Sequence, residues 1–80
     1  MNIYSIRIYF DYKPPLVYIV KADNCFQARQ FLLDILKNVN YRVCEFPSLE
    51  RKYQPTLFDS LDPEVLEILS YVKYRKKYML

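Results

Sequence analysis

At 80 residues the chain has the size of one small domain spanning residues 1–80, which buries about 60–65% of the surface its unfolded form exposes. It has no His and only two Cys, which excludes most zinc sites and every His-based triad, and no Gly, which excludes phosphate-cradling loops and the nucleophile elbow. The 12 Lys plus Arg and 9 Asp plus Glu are unevenly spread: residues 1–70 carry 8 positive and 9 negative charges, whereas the last ten carry four positive and none negative.

Residues 3–10 alternate. Tyr4, Ile6, Ile8 and Phe10 fall on one side of a strand, and Ser5 and Arg7 on the other. Asp11-Tyr12-Lys13-Pro14-Pro15 interrupts with two prolines that cannot donate ladder hydrogen bonds. Residues 16–21 are β-branched and aromatic, so the pattern predicts a hairpin with a five-residue connection. Asn24 as N-cap, with Gln27 three positions on, predicts a capping box opening a helix over residues 25–37. Phe26, Phe31, Leu32, Leu33, Ile35 and Leu36 give that helix a broad apolar face for covering the sheet. Asn38-Val39-Asn40 suits its exit, because Asn tolerates left-handed dihedrals where no Gly is present.

Residues 41–46 read as a third strand stopped by Pro47, and 48–61 as loop with one helical turn at 48–52. Asp62, Pro63 and Glu64 form an N-cap, first-turn proline and first-turn acid, with Leu61 and Leu66 as a hydrophobic staple. Val65, Ile68, Leu69 and Val72 then recur at helical spacing, predicting a C-terminal amphipathic helix from there onward. The expected fold is α+β. A small three-stranded, mainly antiparallel sheet in the order β-β-α-β-loop-α carries one packed helix and the C-terminal helix.

Catalysis needs a reactive group and a partner that activates it, and the chain has no imidazole for work near neutral pH. Cys25 and Cys44 read as packed thiols, too few for a disulfide scaffold and suited to a reducing cytoplasm. The pairs Asp59/Asp62 and Glu64/Glu67 read as caps and first-turn charges. The expectation is a protein that is not an enzyme, with no cofactor and no metal site. No apolar run approaches the roughly 18 residues of a membrane span, and the N-terminus lacks the pattern of a signal peptide.

Two segments point to binding. On a helix, Tyr71, Tyr74 and Tyr78 form an aromatic stripe flanked by Lys73, Arg75, Lys76 and Lys77. Cations that neutralise phosphates beside rings that stack on bases suit a nucleic-acid surface. The same residues also suit a helix end, where cations oppose the macrodipole and Tyr rings cover a core edge. The other segment is Gln54-Pro55-Thr56-Leu57-Phe58. It resembles the pentapeptide by which many bacterial proteins dock on the replicative sliding clamp. Gln54, Leu57 and Phe58 are retained, and Pro55 stands where that pattern usually has a small apolar residue. The resemblance implies an extended segment offering one polar and two apolar anchors to a preformed groove. The bland counterpart is a loop whose Leu57 and Phe58 tuck onto the core.

The function expected from these features is a small intracellular protein-interaction module. It would act as a regulator or inhibitor of phage or mobile-element type in a bacterial cytoplasm, a setting that fits the abundance of residues with AT-rich codons. Tyr53, Gln54, Leu57 and Phe58 are its candidate anchors for a protein partner. Fourteen aromatic residues exceed what one small core holds, which favours surface contacts or homodimer formation. The alternative is a nucleic-acid accessory protein working through the C-terminal cations.

Overall fold

Alternating apolar residues make the first hairpin the centre of the molecule. The computed structural model, which describes residues 1–79, pairs β1 (Asn2–Tyr9) with β2 (Leu16–Ala22) as the expected antiparallel hairpin, with a connection of six residues instead of five. Ile6 stands opposite Tyr18 in that pairing. α1 (Cys25–Leu36) follows, then β3 (Val43–Cys44), β4 (Ser48–Lys52), β5 (Glu64–Ser70) and α2 (Tyr71–Tyr78). The strand order is β3-β1-β2-β5, and β4 also pairs with β1. β3 takes the Ile8–Tyr9 end of β1 and β4 takes the Asn2–Ser5 end, so two short strands share one edge.

Period-two alternation divides the core between the two faces of the sheet. Tyr4, Ile6, Ile8, Phe10, Val20 and Ala22 pack against Ala28, Leu32 and Leu36 of α1. Ile3, Val17 and Ile19 face the other way and are covered by Tyr74 of α2, with Tyr53, Leu69, Tyr71 and Tyr78 around them. α1 begins as its capping residues dictate: the Gln27 N–H donates to Asn24 Oδ1 at 2.8 Å. The return bond reaches one residue further back, from the Asp23 N–H to Gln27 Oε1 at 2.7 Å.

The α+β class and the antiparallel sheet are as expected, but the sheet has five strands instead of three. The expected strand 41–46 shrinks to Val43–Cys44, and the expected turn of helix at 48–52 is strand β4, hydrogen-bonded along β1. The helix expected from Asp62 begins only at Tyr71, because residues 64–70 form β5 along the open edge of β2. Glu-Val-Leu-Glu-Ile-Leu-Ser fits a helical or an alternating period, and pairing with β2 decides between them. Asp62 therefore caps nothing, Leu61 is exposed so that no staple forms with Leu66, and the N-cap is Ser70, whose Oγ accepts from the Lys73 N–H at 3.3 Å. Within α1, Phe26 and Ile35 are exposed and lie outside the covering face. No described residue has a positive φ, so α1 ends at Leu36 without a left-handed Asn. No helix among the described residues is long and apolar enough to cross a membrane.

A break in the ladder between Ile19 and Val20 leaves Leu66 without a partner in β2. The bulge exchanges the faces of β5: Val65 packs on the α1 side, whereas Leu69 joins the α2 side. Two substitutions check the placement of the last helix. Ser70→Ala should lower the free energy of unfolding by about 1 kcal/mol in urea titration, as loss of a helix N-cap does. Asp62→Ala should change it by less than about 0.5 kcal/mol, as at an ordinary surface position.

Candidate protein-binding site

The segment between β4 and β5 is built as a pinned loop. Tyr53 continues β4, its N–H donating to the Met1 carbonyl at 2.9 Å, and its ring packs at the edge of the α2-side core. Its hydroxyl donates to Asp59 Oδ2 at 3.0 Å, and the same oxygen accepts from the Thr56 N–H at 2.8 Å. The Asp59 N–H donates to the Thr56 carbonyl at 3.2 Å, closing a four-residue turn. These two donors hold the Asp59 carboxyl below its ordinary pKa, with the Thr56 N–H contributing most and the Tyr53 hydroxyl next.

The far side of the loop is held by Lys21. This side chain is 1% exposed, and its ammonium has three compensating neighbours. It donates to the Ser60 carbonyl at 2.7 Å, pairs with Glu64 at 3.6 Å and lies 5.4 Å from the centre of the Tyr53 ring. A buried ammonium without such partners is strongly unfavourable, so the loop base and the lysine stabilise each other.

Leu57 and Phe58 occupy the two central positions of the turn and are 98% and 97% exposed. They do not tuck onto the core. The segment also departs from the extended form implied by the sliding-clamp resemblance, because Leu57 and Phe58 sit in a turn closed by Asp59. Gln54 is exposed, and its side chain makes no hydrogen bond among the described residues. Tyr53, Leu57 and Phe58 thus belong to one loop but act differently: Tyr53 braces it, and the other two project from it. The pins Lys21, Asp59 and Ser60 are not legible as a set in the sequence. One signal was present, since Lys21 is in phase with the apolar Val17 and Ile19 along β2 and so must point into the core.

The second candidate surface is divided by α2 into two faces. Tyr71, Tyr74 and Tyr78 turn toward the sheet and stack on one another, with ring centres 6.4 and 5.4 Å apart. Arg7 lies 3.9 Å from the centre of the Tyr71 ring. The Tyr74 hydroxyl and Ser5 Oγ both donate to Glu50 Oε1, the latter at 2.7 Å, and the two hydroxyl oxygens are 3.1 Å apart. Glu67 Oε1 accepts from Lys77 Nζ at 2.7 Å and from the Tyr78 hydroxyl at 2.8 Å. Glu64 and Glu67, expected as first-turn helix charges, are instead strand residues paired with Lys21 and Lys77. Lys73, Arg75 and Lys76 are exposed, with no ion-pair partner among the described residues, and a groove of about 320 Å³ runs past Tyr71, Val72, Arg75, Lys76 and Met79. Leu80, the last residue of the basic stretch, lies outside the described residues.

Cys25 and Cys44 are free and half-buried, and burial pushes the Cys44 thiol up, away from the reactive thiolate form. No three His, Cys, Asp or Glu side chains among the described residues cluster as metal ligands.

Two outcomes test this geometry. Asp59→Ala should leave the fold intact and free the turn, read as faster amide exchange at Thr56 and Asp59. Burial, followed by the bond to Glu67, pushes the Tyr78 phenol up to about 12 from its ordinary 10.0. A phenol raised on folding contributes stability below pH 10 that is lost as the pH climbs through 12. Thermal unfolding should therefore show a loss of stability between pH 10 and 12, and Tyr78→Phe should make that loss smaller.

Comparison of the chain with protein-family models, with curated proteins and with solved structures finds no match in any of the three.

Proposed function

We propose that this chain is a non-enzymatic interaction module that docks on a protein partner through Leu57 and Phe58, as a small regulator or inhibitor of phage or mobile-element type. The observation that carries the reading is an adjacent Leu–Phe pair, almost wholly in water, at the tip of a turn pinned from both sides. Burying each of these side chains is worth about 1.5–3 kcal/mol, which the isolated chain forgoes and a partner's pocket recovers. The pins on Asp59 and Ser60 reduce the ordering cost of binding, since the turn is already formed. The resemblance of Gln54–Phe58 makes the bacterial sliding clamp the first partner to test. Docking there in the extended form would require the Thr56–Asp59 turn to open, whereas a partner that takes the turn as it stands gains from its being preformed.

The alternative, a nucleic-acid accessory protein, is supported by the exposed Lys73, Arg75 and Lys76, which have no ion-pair partner among the described residues. The inward tyrosines leave that surface phosphate contacts without base stacking.

The test is calorimetric titration of purified bacterial sliding clamp, with capture of partners from bacterial lysate alongside. Leu57→Ala with Phe58→Ala should abolish binding while leaving the circular dichroism unchanged, because both side chains lie outside the core. Capture that survives the double substitution overturns the module reading. No clamp binding together with Leu57- and Phe58-dependent capture of another protein moves the assignment to that protein. Binding of single-stranded DNA that weakens steeply with salt, with a shallower salt dependence once the three cations are removed, establishes the alternative instead.

A further inference from the structure

The loop that carries the Leu57–Phe58 tip and the groove on α2 belong to one face of the sheet. α2 covers Ile3, Val17 and Ile19 on that face, and the loop base is held by Lys21, which stands opposite Ile3 in the ladder. Along β2 the two lie at opposite ends: Leu16 pairs with Ser70, just before α2, and Lys21 pairs with Glu64, just after the loop. Their chemistry is complementary. The loop exposes Leu57, Phe58 and Leu61, and residues 54–62 hold two acids and no cation. Asp59 accepts only from the neutral Tyr53 hydroxyl and Thr56 N–H, and neither Asp59 nor Asp62 has an ion-pair partner among the described residues. The groove of about 320 Å³ sets the exposed Val72 and Met79 beside Arg75 and Lys76, two cations that likewise lack ion-pair partners among the described residues. α2 contains no acid of its own.

We propose that a second copy of this chain fills the α2 groove with its Leu57–Phe58 loop, and that the exchange is reciprocal about a two-fold axis. The proposal rests on Leu57 and Phe58 being a docking tip, and it names what they dock on. Apolar side chains flanked by acids meet an apolar groove flanked by cations, and the tip is taken as the turn in which it already stands. The axis follows from the placement of loop and groove. An axis parallel to the sheet and across its strands brings the two α2-side faces together, end for end. Each loop then comes over the α2 of the other copy, two identical contacts form, and the assembly closes at two chains.

A nucleic acid would use only part of this groove. Its phosphates would meet Arg75 and Lys76, but its bases need an open ring face to stack on. Tyr71, the ring that lines the groove, is already stacked with Arg7 at 3.9 Å and has Arg75 5.8 Å from its centre. The rest of the lining, Val72 and Met79, is aliphatic and thioether surface, which suits Leu57, Phe58 and Leu61. The acids sit beside these side chains at the rim of the contact, where opposite charge sets orientation and the rate of encounter.

Analytical ultracentrifugation over a concentration series tests the proposal. The unsubstituted chain should reach a dimer and stop there, and Leu57→Ala with Phe58→Ala should sediment as a single chain with unchanged circular dichroism. Asp62→Lys and Lys76→Glu, both at exposed positions, should each weaken the association about tenfold. The two together in one chain should restore it, because each contact then pairs the same charges the other way round. That recovery guards against misfolding, since the restored chain carries both substitutions. Sedimentation as one chain at every concentration overturns the proposal, while Leu57- and Phe58-dependent capture of another protein decides the docking reading separately. A dimer that survives loss of the tip overturns it, as do a charge-reversed pair that fails to restore association and a series that grows past two chains. A single chain that binds single-stranded DNA through Arg75 and Lys76 overturns it too, and gives the groove to nucleic acid.

Discussion

A lysine ammonium enclosed on the α2 side of a five-stranded sheet must find its compensation inside the protein, and much of the binding loop follows from that requirement. Lys21 projects from the end of β2 among apolar residues, where an unpaired charge is strongly unfavourable. Its neighbours are the Ser60 carbonyl, the Glu64 carboxylate and the Tyr53 ring, which come from the loop, from β5 and from the end of β4. One buried charge thus ties three segments that are distant from it in sequence. With Asp59 accepting from Tyr53 and Thr56, the base of the loop is held on both sides, and the apolar tip is what remains outside.

The sheet places this arrangement through its two-sidedness. β1 and β2 alternate so strictly that each face receives its own apolar set, and each set has its own helix. The bulge at Leu66 brings Glu67 and Leu69 onto the α2 side, where Glu67 meets Lys77 and Tyr78. Without that change of phase these residues would face α1, and α2 would lose an acceptor that fixes its seat. The tyrosine stripe is therefore part of the fold, and the outward face of α2 is left to Val72, Lys73, Arg75, Lys76 and Met79.

Elements whose signals are local were legible in the sequence. The hairpin could be read from alternation and two prolines, and the start of α1 from Asn24 and Gln27, because those features act within a few residues. β5 could not, since its residues satisfy both periods and the open edge of β2 decides between them. β4 is charged and short, with no alternating apolar face, and exists because β1 offers it an edge. In the candidate site, Gln54–Phe58 stood out by resemblance, while the pins at Lys21, Asp59 and Ser60 act across up to 39 residues of chain. Only the phase of Lys21 with Val17 and Ile19 hinted at a buried charge.

The sequence by itself determined the α+β class, the central hairpin, the capped first helix, and a chain without the glycines and histidines of familiar catalytic sites. Those properties follow from composition and short-range periodicity. Tertiary structure alone decided that residues 64–70 extend instead of coiling, that the tyrosines of α2 face inward, and that Leu57 and Phe58 stand in water. Each of these depends on what lies opposite: a bare strand edge, an apolar sheet face, or nothing. A residue's own chemistry permits several environments, and contacts formed across the chain select among them.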